Sequence, residues 1–189
     1  EDYKEIYDKS IAEAQAMCDT MVYAADKAAF AAAIEKFKGA TTVEDMNASL
    51  DSIGAAKEVA TASINKWIGV KTGSWANLKD SIAAGVYSTD GTKVAQKIVD
   101  IMTAKIYAED ATYTTMDGLT AVLRKYRDGY LPALANAESK VYTVAAATEV
   151  LEVTIEAQVA DLVAITDMPT EAAMDEFVNH LNAAIIEAD

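Results

Sequence analysis

Apolar residues recur at spacings of three and four along most of this chain. Tyr3, Tyr7, Ile11, Ala14, Cys18 and Met21 fall on one stripe of a helix. A second helix is predicted in "DKAAFAAAIEKFKG", with Asp26 as candidate N-cap, Phe30, Ile34 and Phe37 as its stripe, and a stop before Gly39. A third follows "ATTVEDM", where Thr41 with Glu44, or Thr42 with Asp45, has capping-box spacing. Its stripe runs through Met46, Leu50, Ile53, Ala56, Ala60, Ile64 and Trp67. Three amphipathic helices with short loops predict an antiparallel bundle over residues 1–68.

Beyond it, "GVKTGSW" reads as a loop or linker over 69–76, and 77–189 as a second helical unit. There "WANLKDSIAAGVY" predicts a short helix, and Asp90-Gly91 a turn. Val94, Ile98 and Ile101 predict one further helix, and Leu119, Leu123, Tyr126 and Tyr130 another, which Pro132 ends, kinks or follows with a new start. Residues 141–156 are ambiguous: β-branched alternation allows a strand, while Leu151, Ile155, Val159 and Leu162 and the length of the segment favour a helix. A last helix starts near Pro169 and Thr170 and buries Met174, Val178, Leu181 and Ile185. Thr42, Thr115 and Thr170 each precede apolar residues at plus four, eight and eleven. The pattern fits either common helix grammar or degenerate three-helix repeats, two of them in the second unit.

Composition sharpens the class to all-α helical bundles. Hydrophobic residues make up 52% of the chain, and eight glycines and two prolines are too few for many short strands. The net charge of −14, with no basic run, argues against nucleic acid as a partner. No apolar run approaches a membrane span, so no membrane insertion is expected. The lone Cys18 excludes an internal disulfide. The chain opens at Glu1 with no basic-then-apolar leader, which reads as a trimmed or processed part of a longer protein.

The stretch "IYDKSIAEAQAM…DKAAFAAAIEKFKGATTVEDMNASLDSI" resembles FIVAR-type helical modules, most clearly over residues 3–67. The resemblance implies a small three-helix bundle in a secreted or cell-surface bacterial protein. It also implies saccharide binding or a spacer role, and it brings no catalytic residues.

Candidate chemistry is sparse. Glu176 and His180 form an i, i+4 pair, but no second histidine exists for a metal site and no Gly-x-Ser-x-Gly elbow for a triad. Cys18 lies on an apolar stripe and reads as a small buried hydrophobe. Paired carboxylates cluster at helix N-termini, where the macrodipole suits them. "STDGTK" lacks the ligands of a calcium loop. No catalytic residue, metal or cofactor is therefore assigned. Trp67 reads as core. Trp75, in "KTGSWANL", reads either as a cover over the seam between the two bundles or, with Tyr87 and Tyr113, as an exposed platform for a sugar ring or a protein partner. The expected function is a non-catalytic interaction or spacer module, extracellular or on the cell surface, that takes a saccharide or another surface protein. An extracytoplasmic ligand-sensing bundle is the alternative.

Overall fold

Side-chain oxygens one turn upstream set several helix starts. Asp2 Oδ1 accepts from the Lys4 N–H (3.2 Å), Thr42 Oγ1 from Asp45 (3.1 Å), Ser88 Oγ from Gly91 (3.0 Å) and Thr170 Oγ1 from Ala173 (3.1 Å). In the computed structural model, which describes residues 2–188, the chain is all-α, with no strand among the described residues. The helices are α1 (Tyr3–Thr20), α2 (Ala24–Phe37), α3 (Val43–Lys71), α4 (Ser74–Ala83), α5 (Thr89–Ile106), α6 (Tyr113–Arg124), α7 (Leu131–Glu138), α8 (Ala145–Ala164) and α9 (Glu171–Ala188). A π-helical turn, Lys125–Tyr130, joins α6 to α7.

The caps revise several expectations. Thr42, not Thr41, caps α3. Thr115 does not cap a helix: α6 already starts at Tyr113, and the Thr115 hydroxyl donates back to Thr112 O at 2.9 Å. The three threonines therefore do not share a capping role. Asp90 and Gly91 form no turn between helices; with Ser88 as cap they lie in the first turn of α5. A Cβ on Gly91 would sit 3.2 Å from both Ser88 Oγ and Tyr87 Cβ, so that turn closes tightly on a glycine. Helix α2 starts at Ala24, so Asp26 falls inside its first turn instead of capping it. Residues 69–76 are helical except for Thr72 and Gly73, because the buried stripe of α3 continues to Val70 and α4 starts at Ser74. Residues 145–164 are helix, with Leu151, Ile155, Val159 and Leu162 buried.

The chain divides into two compact units. The first is Glu1–Gly69 with Lys105–Met116, so it takes in a segment that the sequence pattern placed in the second unit. Its core gathers Ala14, Cys18 and Met21 with Phe30, Ile34, Ile53 and Ala60. Tyr7 of α1 ties off the end of α2: its hydroxyl donates to Phe37 O and accepts the Ala40 N–H.

The second unit is Val70–Ala104 with Asp117–Asp189. Within it α9 packs on α8, on α7 and on the π-helical turn. The turn has a cause. Pro132 has no N–H, and its ring would collide with the carbonyl four residues before it in a regular helix. The Leu131 N–H instead bonds Tyr126 O, five residues back, and the widened turn lets the helix run past the proline. Tyr126 and Tyr130 of this turn are fully buried; their rings meet edge to face, and Tyr130 meets Phe177 of α9 in the same way. Neither hydroxyl has a hydrogen-bond partner among the described residues. Burial pushes both phenols well above the ordinary tyrosine range.

An unpaired buried hydroxyl costs stability, so Tyr126→Phe and Tyr130→Phe should each leave stability to urea unchanged or raise it by up to about 1–2 kcal/mol. The raised phenols also fix the sign of an alkaline effect. Their neutral forms favour the fold below the unfolded tyrosine pKa of about 10, and that contribution is lost as pH rises through the higher folded values. The double phenylalanine variant should therefore unfold at higher pH than the parent when helicity is followed by circular dichroism. Identical alkaline midpoints would argue against this origin.

Candidate functional site

Asp26 organises one end of the first unit. Its Oδ2 accepts the hydroxyl of Ser63 on α3 at 2.7 Å and the backbone N–H of Tyr113 at 2.7 Å. The neighbouring Ala25 N–H donates to Ala111 O at 3.1 Å. Two of these bonds hold the segment between α5 and α6 against the start of α2, and the Ser63 bond ties α3 to the same point.

That segment carries Tyr107, which is 58% exposed. Its ring meets Trp67 of α3 edge to face, with centroids 6.3 Å apart and planes at 65°. Trp67 meets Tyr23 in the same manner, at 6.3 Å and 83°. Tyr23 is fully buried, and its phenol is pushed up to about 12 by burial and, secondarily, by the negative charge of Asp26. The three rings form a ladder from the interior (Tyr23) through half-buried Trp67 to the surface (Tyr107). Contacts of this kind add to the area that each ring buries. They also leave the outermost ring on a rigid support.

Of the residues singled out from the sequence, Tyr113 touches this arrangement through its backbone N–H, and Trp75 and Tyr87 belong to the second unit. Trp75 is not an exposed platform: it is only 7% exposed. Helix α4 starts one residue before it, which puts Trp75 on the buried face with Leu78. Its indole N–H donates to Thr103 Oγ1 at 3.1 Å, and Lys79 Nζ stands 4.0 Å from the ring centroid. Tyr87 is half-buried in front of α5, beside Gly91. Tyr113 is half-buried at the start of α6 and belongs to the first unit, whereas Trp75 and Tyr87 belong to the second. The Trp67–Tyr107 pair was missed because Trp67 sits on the α3 stripe and Tyr107 lies just past the end of α5, where the periodic signal stops.

Other groups offer less. Glu176 and His180 are both exposed on α9. No group of three or more His, Cys, Asp or Glu side chains among the described residues could hold a metal ion. A cleft of about 530 Å³ in the second unit is lined by Arg124, Lys125, Asp128, Glu171 and Asp175. Two of its carboxylates are engaged: Lys125 Nζ reaches both Asp175 oxygens, at 2.8 and 3.2 Å, and the guanidinium of Arg127, outside the lining, holds Asp128 below the usual carboxylate range. Among the described residues no helix is long and apolar enough to cross a membrane.

Searches against protein-family models, curated proteins and solved structures found no match to this chain.

The Asp26 bonds make a graded prediction. Asp26→Ala strands the buried Ser63 hydroxyl and the Tyr113 N–H and should cost about 2–4 kcal/mol in urea unfolding. Asp26→Asn, which keeps an acceptor oxygen, should cost markedly less. Equal losses for the two variants would place the contribution of Asp26 outside these bonds.

Proposed function

We propose that this chain is a non-catalytic interaction or spacer module of a secreted or surface-attached bacterial protein, and that it takes a saccharide or a partner surface protein on the Trp67–Tyr107 pair. The observation that carries the reading is the ring ladder: one aromatic ring 58% exposed, braced edge-on by a half-buried tryptophan. A flat apolar ring with a polar tip suits the C–H face of a sugar or an apolar patch on a protein. The resemblance of the first helices to FIVAR-type modules supports the surface-associated setting, and the net charge of −14 supports a solvated, repelling surface.

The test is a glycan array and a cell-wall saccharide pull-down with the parent chain and Tyr107→Ala. The substituted ring is mostly in water, so stability should change by less than about 1 kcal/mol. Binding should fall roughly tenfold or more, the effect of losing a central aromatic contact. In a Trp75→Phe background, Trp67 is the only tryptophan left, and its fluorescence should respond to the ligand. Saccharide binding that Tyr107→Ala leaves intact would remove the ring ladder from the proposal. Absence of any saccharide or protein ligand would leave the spacer role alone.

A further inference from the structure

A cleft of about 210 Å³ in the first unit lies between α2 and α3. Its walls are Met21, Ala29, Phe30, Ala33, Ala56, Val59 and Ala60, all apolar, and Asp26 is the only charged residue that lines it. Val59 is 54% exposed, so the cleft opens to solvent. The state of the Asp26 carboxylate gives the cleft its chemistry. Both hydrogen bonds to Asp26 end on Oδ2, while Oδ1 accepts none and no Lys or Arg pairs with Asp26 among the described residues. A half-buried carboxylate is thus held at a fixed angle by one oxygen, with the other uncommitted, beside an aliphatic wall.

We infer that this cleft is a receptor for a lysine side chain of a partner polypeptide, with the four-carbon stem along the alanines and the ammonium on Asp26 Oδ1. Lysine matches the two halves of the cleft in order: an unbranched aliphatic stem buries against apolar surface while its charged head reaches a carboxylate. An anionic occupant would face the only charge in the cleft with the wrong sign. A purely apolar occupant would cover the free carboxylate oxygen without a partner for it. The net charge of −14 steers a basic segment toward the chain at long range. This inference stands apart from the Trp67–Tyr107 reading and does not need it.

The probe is the tripeptide acetyl-Ala-Lys-Ala-amide, beside its norleucine and glutamate counterparts, titrated into the folded chain and followed by amide NMR shifts. The lysine peptide should move the amides of Ala29, Ala33, Ala56 and Ala60, and moderate salt should weaken the effect. The norleucine peptide should bind at least several-fold more weakly, and the glutamate peptide should give no shift. Asp26→Asn keeps an acceptor for Ser63 and Tyr113 and should weaken lysine-peptide binding about tenfold. Ala29→Leu, at an exposed position lining the cleft, fills the stem channel, leaves the carboxylate intact and should weaken binding to a similar degree. Norleucine binding as tight as lysine would overturn the role of the charge. Lysine binding that survives Ala29→Leu would reduce the contact to a plain surface ion pair, and no lysine-dependent shift at the four alanines would end the proposal. Loss of lysine binding in Ala29→Leu while saccharide binding persists separates this cleft from the aromatic pair.

Discussion

One carboxylate oxygen joins three distant parts of the first unit. Asp26 Oδ2 takes bonds from partners 37 and 87 residues away, and through the second it fixes the turn that carries Tyr107. Local helix propensity could not do this, because a helix settles only its own residues. A bond between far-separated segments closes a long loop, so it adds tertiary definition that no stretch of the chain holds alone. The carboxylate also lies in the first turn of α2, where negative charge suits the positive end of the helix.

The two units solve the problem of holding helices together in different ways. The first relies on small residues: Ala14 and Ala60 stand in the same core as Phe30, Ile34 and Ile53, so that large side chains from one helix meet alanines on another. Such packing alternates large against small and fills space closely. The second unit buries aliphatic side chains such as Leu78, Ile98, Leu134 and Leu181 and adds broad ones from a distorted helix. Tyr126 and Tyr130 bring rings, not aliphatic branches, to the centre, and their hydroxyls go in unpaired. The aromatic area gained there offsets the loss of hydration of two phenols.

Much of the architecture was legible in the sequence, for reasons that can be named. The stripes through Phe30 and Ile34, through Ile53 and Ala60, and through Met174 and Leu181 are buried as their spacing predicts, because helical periodicity reports directly on a buried face. Spacing offered Thr41 or Thr42 as the cap of α3 and a helix start near Thr170, and local hydrogen bonds decide for Thr42 and Thr170. Three things were not readable. The short helix in "WANLKDSIAAGVY" was readable, but its start at Ser74, inside the Gly-rich "GVKTGSW", was not. "STDG" looks like a hairpin-type turn, yet Ser88 turns it into a helix start. Tyr107 could be found only once the Asp26 bonds had placed its segment beside Trp67, and no spacing rule spans that separation.

The π-helical turn before Pro132 leaves a mark on the history open to this sequence. A five-residue backbone step holds one residue more than an α-turn does, and it swings the following face by about 100°. Tyr130 and Leu131, at the end of the turn, are both buried. Deleting one residue from Lys125–Tyr130 would restore α-geometry and drive the proline ring into a carbonyl. Replacing Pro132 alone would leave a surplus residue with nothing to require it. The extra residue and the proline are therefore contingent on each other, and a lineage that carries this fold can lose both together far more easily than either one alone.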